Sequence, residues 1–293
     1  MSGLVMTTHL ILERLSPRAP LPRVPEAAPV MDDLAQNEAF ERAGREDGVL
    51  AFLHLYHALQ TTALVCPGDR VLDLGCGPGN QLVQMARLNP QARFVGLDAS
   101  AEMLERARET VRRCAVGNVD LLSGDMTTLA GLADASFDCV TSTMTLHHLP
   151  DEAALAAAMA AAGRALKPMG GVYLADFGRL KRAATQRFFA NDRRDIQPEP
   201  FTRDYFNSMR AAFSVEELAR AVRLLQSGLE RHETALAPFI AVFRSRPRRE
   251  PDRASREAAR SQYAGLSPAQ RNDFRLFARW LGAGGLELPF APD

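Results

Sequence analysis

The sequence predicts an α/β fold: one seven-stranded, doubly wound mixed sheet with helices on both faces. Three observations carry that expectation. Short apolar runs alternate with helical stretches between Val65 and Gly178, the rhythm of strand-helix-strand units and a parallel sheet. A glycine-rich turn, Asp73-Leu74-Gly75-Cys76-Gly77-Pro78-Gly79, joins the first of these strands to a helix. After an amphipathic helix at Val215 to Leu225, two further β-like runs suit the antiparallel closing strands of a mixed sheet.

Taken in order, Pro17, Pro20, Pro22, Pro25 and Pro29 fall between Ser16 and Val30, so neither helix nor central strand can run there. Residues 1–33 are read as a proline-rich flexible arm. From Asp33 to about Ala63 the apolar spacing of Leu50, Leu53, Tyr56 and Leu59 is helical, and two helices broken near Gly44 to Gly48 are expected. His54 and His57 lie one turn apart, but with no third ligand in view they read as ordinary helix-face histidines. Strands are expected at Arg70 to Leu74, Arg93 to Leu97, Val119 to Ser123, Phe137 to Thr143 and Gly171 to Phe177. Helices at Asn80 to Leu88, Ala101 to Cys114 and Asp151 to Leu166 fill the gaps, with Ser100 as an N-cap and Lys167, Pro168 and Gly170-Gly171 as a stop. Ser214 caps the next helix, and Glu230 to Leu236 and Phe239 to Phe243 close the sheet.

Residues 34–246 thus form the expected main domain, with 179–213 as a cap insertion and 247–293 as a linker and helical tail. The tail helices are expected around Arg256 to Tyr263 and Ala269 to Leu281. Phe274, Phe277 and Trp280 on the second offer a face either to its own domain or to a second copy in a homodimer.

Composition narrows the function. With 46% hydrophobic and 24% charged residues, the 293-residue chain is neither collagenous nor acidic-disordered, and no apolar run is long enough to span a membrane. The 35 basic and 35 acidic residues cancel, so no global field draws the protein to nucleic acid or an anionic membrane. Two segments, Arg179 to Arg210 and Arg244 to Arg260, are each net +4, but they lack basic-aromatic interleaving and read as solvated surface. Cys66, Cys76, Cys114 and Cys139 have no metal-ligand spacing, which suits free thiols, no metal centre and a cytoplasmic setting.

The chemistry sits at the strand ends. The dinucleotide pattern beginning at Gly75 needs a sixth-position glycine and meets Asn80, while no Lys-Ser/Thr pair follows as a phosphate loop requires. What remains, an acid two residues ahead of three alternating glycines, resembles the first motif of the class I S-adenosylmethionine-dependent methyltransferases, whose fold is Rossmann-like. The histidine-containing segment Thr141-Ser142-Thr143-Met144-Thr145-Leu146-His147-His148 resembles that of the ubiquinone and menaquinone biosynthesis enzymes of this superfamily. The resemblance covers about Val65 to Phe177 and more weakly Ser214 to Phe243.

It implies S-adenosylmethionine as cofactor, with Asp73 on the methionine ammonium and Gly75, Cys76, Gly77 and Gly79 making room for it. Asp98 would hold the ribose hydroxyls, beside Ala99 and Met103. Asp125 and Met126 would meet the adenine, although Asp125 also reads as a helix cap, and Thr143 would face the methionine portion. His147 and His148 would border the acceptor and serve as candidate bases, with Asp176 a second polar candidate at the same sheet edge. Tyr56, Phe177 and Tyr205 are the acceptor-site candidates. The expected function is methylation of a small organic molecule at oxygen, nitrogen or carbon. Three alternatives stay open: an enzyme that uses or makes a modified cofactor such as carboxy-S-adenosylmethionine, an RNA or protein methyltransferase, and a non-catalytic cofactor-binding module.

Overall fold

The computed structural model describes residues 3–26, 34–226 and 228–293. Helices α1 (Gly3–Leu15), α2 (Leu34–Gly44) and α3 (Ala51–Thr61) precede β1 (Arg70–Leu74), α4 (Asn80–Leu88), β2 (Arg93–Asp98), α5 (Ala101–Arg113), β3 (Val119–Ser123) and β4 (Phe137–Thr143). A 3-10 turn at Leu146–His148 leads to α6 (Glu152–Ala165), β5 (Leu166–Phe177), α7 (Ala183–Asn191), α8 (Glu199–Ala211) and α9 (Val215–Leu225). The chain ends with β6 (Glu230–Glu233), β7 (Ile240–Arg244), α10 (Arg253–Gly265) and α11 (Pro268–Ala283).

The seven strands run β3-β2-β1-β4-β5-β7-β6, parallel through the first five and antiparallel at β7 and β6. Side chains alternate across the sheet with period two, as a strand buried on both faces requires. Val71, Phe94, Cys139, Tyr173 and Val242 pack into a core shared with α3, α4 and the tail helices. Leu72, Val95, Val140, Leu174 and Phe243 pack against α6 and α9 on the other face. The order reverses between β1 and β4, and a ligand crevice belongs at the carboxyl ends of the strands beside such a switch.

Local chemistry sets the element ends. Ser100 and Asp151 accept from the third backbone N–H of α5 and α6. Ser214 with Glu217, and Ser267 with Gln270, form complete capping boxes on α9 and α11. Each such cap stabilises its helix by about 1 kcal/mol. β5 begins earlier than the sequence suggests, at Leu166, because Phe137 pairs with Leu166 while Cys139 pairs with Gly171. The residues between bulge outward, exposing Lys167, Pro168 and Met169.

The N-terminal arm departs from expectation. Residues 27–33 lie outside the described residues, but 3–26 are ordered against the domain. Leu10 and Glu13 of α1 are buried, Glu13 accepts from the Lys181 backbone N–H, and His9 stacks on Phe188 at 4.3 Å. The described part of the proline segment, residues 16–26, does avoid helix, yet it docks in extended form: Leu21 donates to Leu180 and Val24 to Arg210. Proline removes donors at its own positions only, and the carbonyls that receive the remaining N–H groups come from distant chain. The tail also settles onto its own domain. Phe274 and Phe277 are buried, and Tyr56 packs edge-on against Phe277 at 5.0 Å, so the apolar face of α11 is already covered.

Candidate active site at the carboxyl ends of the strands

The glycine turn bends back under the end of β2. Gly75, Gly77 and Gly79 take φ of +68°, +52° and +77°, the left-handed region that side chains resist. A Cβ on Gly75 would lie 2.1 Å from the Thr145 hydroxyl oxygen, whereas one on Gly77 would meet nothing nearer than Phe40 at 3.9 Å. The first glycine lets two loops close on each other. The second leaves bare backbone facing open space.

That backbone is tied to Asp98: Gly77 N–H donates to Oδ2 at 2.8 Å and Ser100 N–H to Oδ1 at 2.9 Å. The Ala99 N–H also faces this carboxylate, which keeps lone-pair capacity for a further donor. Burial pushes the Asp98 carboxyl above its ordinary value, with these N–H groups opposing the rise. Asp73, 5% exposed, accepts from the Thr141 hydroxyl at 2.7 Å. Burial, helped by the charge of Asp98, pushes its carboxyl up to about 7.

Both carboxylates open onto a cavity of about 760 Å³, within the range of about 300–1,000 Å³ typical of small-molecule sites. Of the expected cofactor residues, Asp73, Gly75, Cys76, Gly77, Asp98, Ala99, Met103, Asp125, Met126 and Thr143 line it. Gly79 does not. It turns the chain into α4 and sits where a Cβ would come within 3.3 Å of Ala107. Asp125 also caps its own turn, accepting from Thr127 N–H at 2.8 Å, so the two readings of this residue are compatible.

Phe177 and Tyr205 line the cavity as expected, but Tyr56 does not. It is fully buried and donates to the Leu286 carbonyl at 3.2 Å, because the tail covers the helix face it occupies. His54 reaches the cavity wall while His57 turns to the Tyr173 hydroxyl at 2.6 Å, so the two never converge.

His147 and His148 sit on the 3-10 turn after β4 and both line the cavity. Asp176, at the end of β5, accepts from His147 Nδ1 at 2.7 Å and from the His147 backbone N–H at 3.1 Å. Burial alone would lower the His147 pKa, but Asp176, helped by Glu26 and Asp204, holds it above its ordinary value.

Sequence patterns gave no sign of Arg23 and Glu26, because both belong to the arm. Glu26 Oε2 lies 2.5 Å from His148 Nδ1. The Arg23 guanidinium donates to the carbonyls of His147, Leu149, Pro150 and Ala211 and lies 3.9 Å above the Phe213 ring. Ligand-type atoms of Glu26, His147 and His148 fall within 4.8 Å of one another. Within this cluster Glu26 already hydrogen-bonds His148 Nδ1, and His147 Nδ1 is engaged from outside it by Asp176.

The donor set suits a sulfonium nucleoside. Two carboxylates stand ready for hydroxyl and ammonium donors, the Gly77 backbone borders open space, and among the described residues no cationic cradle for a pyrophosphate adjoins the glycine turn. The fold and the donor set are of the kind that a class I S-adenosylmethionine-dependent methyltransferase domain calls for.

In comparison with known proteins, residues 71–170 match the model of the methyltransferase-domain family. The chain is 35% identical over 161 residues to an uncharacterized 37.1 kDa protein in transposon TN4556 of Streptomyces fradiae, covering 54% of this chain and 41% of that one. It is 34% identical over 110 residues to the 27-O-demethylrifamycin SV methyltransferase of Amycolatopsis mediterranei, covering 38% and 39%. The chain therefore spans about two fifths of the length of these curated relatives. A SAM-dependent methyltransferase from Aquifex aeolicus shares the fold, with a TM-score of 0.51 and 19% identity over 72% of this chain and 97% of that one. Among the described residues no helix is long and apolar enough to cross a membrane.

Proposed function

We propose that this protein transfers a methyl group from S-adenosylmethionine to a hydroxyl of a small organic molecule. The observation that carries the reading is the convergence of Asp73, Asp98 and His147, the last held from behind by Asp176, on one cavity at the strand switch point. The cofactor, when bound, supplies a methyl group already activated by sulfonium. Asp98 would accept from the ribose hydroxyls and Asp73 from the ammonium.

The chain's remaining work is alignment, exclusion of water and removal of one proton. Alignment alone can lower the barrier by several kcal/mol. Asp176 engages Nδ1–H of His147, which leaves Nε2 as the basic nitrogen for an acceptor hydroxyl. A relative named for 27-O-demethylrifamycin is in keeping with oxygen as the acceptor atom.

An apolar wall that includes Phe177, Phe239 and Trp280 suits a compact molecule better than a polymer. The two basic segments support this choice. Arg179 pairs with Glu217, Arg203 with Glu199, Arg248 with Asp69 and Arg253 with Glu257, so much of their charge is internally matched.

Calorimetric titration with S-adenosylmethionine and S-adenosylhomocysteine, with NAD as control, tests the reading. Both sulfur ligands should bind, and Asp98→Ala should weaken them by about 10- to 100-fold, the range for losing charge-assisted hydrogen bonds. An acceptor screen reading release of S-adenosylhomocysteine follows. Binding of NAD instead, or of none of the three, would overturn the assignment.

A further inference from the structure

His148 has a carboxylate of its own, and the N-terminal arm supplies it. Both imidazoles of the turn after β4 line the cavity, whereas neither of the carboxylates that hold them does. Asp176 stands behind His147, and Glu26 stands behind His148, with Oε2 2.5 Å from Nδ1. Ser208 of α8 donates to the other oxygen, Oε1, at 2.9 Å, so the Glu26 carboxylate is itself fixed from a third element. Burial would raise the Glu26 carboxyl, but His148 and Ser208 hold it below its ordinary value. An ionised carboxylate only accepts, so Nδ1 of His148 carries a proton and Nε2 is the nitrogen left for a ligand.

The two rings serve different sides of the cavity. Their centroids are 4.3 Å apart and their planes 39° apart. The His147 ring lies 5.4 Å from that of Phe177, on the side of the acceptor candidates. A charge on His148 acts instead on Asp98, the carboxylate placed for the ribose. The arm also grips the backbone of this segment: Arg23 donates to the carbonyls of His147, Leu149 and Pro150, and residues 147–150 all line the cavity. Upstream on the same turn, Thr145 closes on Gly75. A side chain held in one orientation before its ligand arrives avoids the cost of being ordered on binding.

Given the methyltransferase reading above, on which this inference rests, we propose that Glu26 is a positioning residue. It holds the His148 ring toward the ribose edge of the cofactor, with Nε2 available to the ribose hydroxyls, as Asp176 holds His147 toward the acceptor. The arm thereby completes the cofactor site of the domain it precedes.

S-adenosylhomocysteine is the probe, titrated calorimetrically into full-length wild type, Glu26→Gln, His148→Gln and the double variant. Glu26→Gln should weaken binding about 3- to 10-fold, the range for one hydrogen bond. Because Glu26 acts through His148, the double variant should bind within about twofold of His148→Gln. A carboxylate that only fastened the arm would give effects that multiply, and that result overturns the proposal, as does unaltered affinity in Glu26→Gln. The ring itself gives a second readout. Its Nδ1 NMR signal, assigned by its absence in His148→Gln, should be that of a protonated nitrogen in the wild type and should move toward the unprotonated form in Glu26→Ala. An unprotonated Nδ1 in the wild type overturns the proposal. Ser208→Ala, which loosens the Glu26 carboxylate and leaves both rings in place, should weaken the ligand in the same direction, and it decides alone if thermal melting shows that Glu26→Gln does not fold. Failure of S-adenosylhomocysteine to bind the wild type removes the methyltransferase reading and this inference with it. Binding that is indifferent to Glu26 removes the inference alone.

Discussion

Nδ1 of His147 lies 2.7 Å from Oδ1 of Asp176, and both side chains are almost wholly removed from solvent. Asp176 also accepts the Phe177 N–H at 2.6 Å, so the carboxylate is fixed before it fixes the imidazole. The pair joins the turn after β4 to the end of β5, two places separated by 29 residues.

Asp176→Asn keeps an oxygen for Nδ1–H but removes the charge that holds the His147 pKa up. The imidazole should then titrate at lower pH, because burial is left less opposed. We expect the rising limb of the pH-rate profile to move to lower pH and kcat to fall by about 100-fold, the low end of the range for general-base catalysis. Cofactor affinity should stay within about twofold. An NMR titration of the His147 ring reads the shift directly, and an unmoved titration would remove Asp176 as the positioning residue.

Asp73 links cofactor binding to pH. Its carboxyl is held near 7 in the ligand-free protein, so much of it is protonated below that. An ammonium brought beside it favours the ionised form, and binding below pH 7 must release a proton. Affinity for S-adenosylhomocysteine should therefore rise by up to about tenfold per pH unit towards 7 and level off above about 8. Asp73→Asn should flatten the dependence. For folding without ligand the sign is opposite: the raised carboxyl contributes stability that is full below its unfolded pKa of about 3.9 and is lost as pH climbs through about 7. Calorimetry across this range, paired with denaturation of the ligand-free protein, checks both directions.

Arg23 is the fastener of the N-terminal arm. Its removal would leave the carbonyls of His147, Leu149, Pro150 and Ala211 without this donor and strip the guanidinium from Phe213. Arg23→Ala should cost about 2–4 kcal/mol of stability and expose the arm to trypsin at Arg18. Arg23→Lys should recover little, since a point charge cannot reach four diverging carbonyls. Wild-type melting and digestion kinetics in the alanine variant would refute the role.

The sheet and its glycine turn were legible in the sequence because their signals are local. Alternating apolar runs, the Ser100 and Ser214 caps and the Asp73-to-Gly79 turn each depend on residues within one element or one loop. Asp98 was legible too, since a strand of that length carries its last residue to the same sheet edge. Tyr56 was misplaced for the complementary reason: helical spacing fixes which residues share a face, but not whether Leu286 and α11 cover it.

The sequence by itself determined the α/β class, the parallel rhythm, the cofactor-type turn and the histidines beside it, because backbone propensity and side-chain period act over a few residues. Tertiary structure alone decided that Arg23 would anchor an arm without helical or strand pattern, that Glu26 would meet His148 and that Asp204 and Asp273 would face one cavity with Arg193. The Glu26–His148, Arg23–His147 and Arg193–Asp273 contacts span from about 80 to more than 120 residues of chain. They form only when packing has already brought the strand ends, the arm and the tail together, and no local preference encodes them.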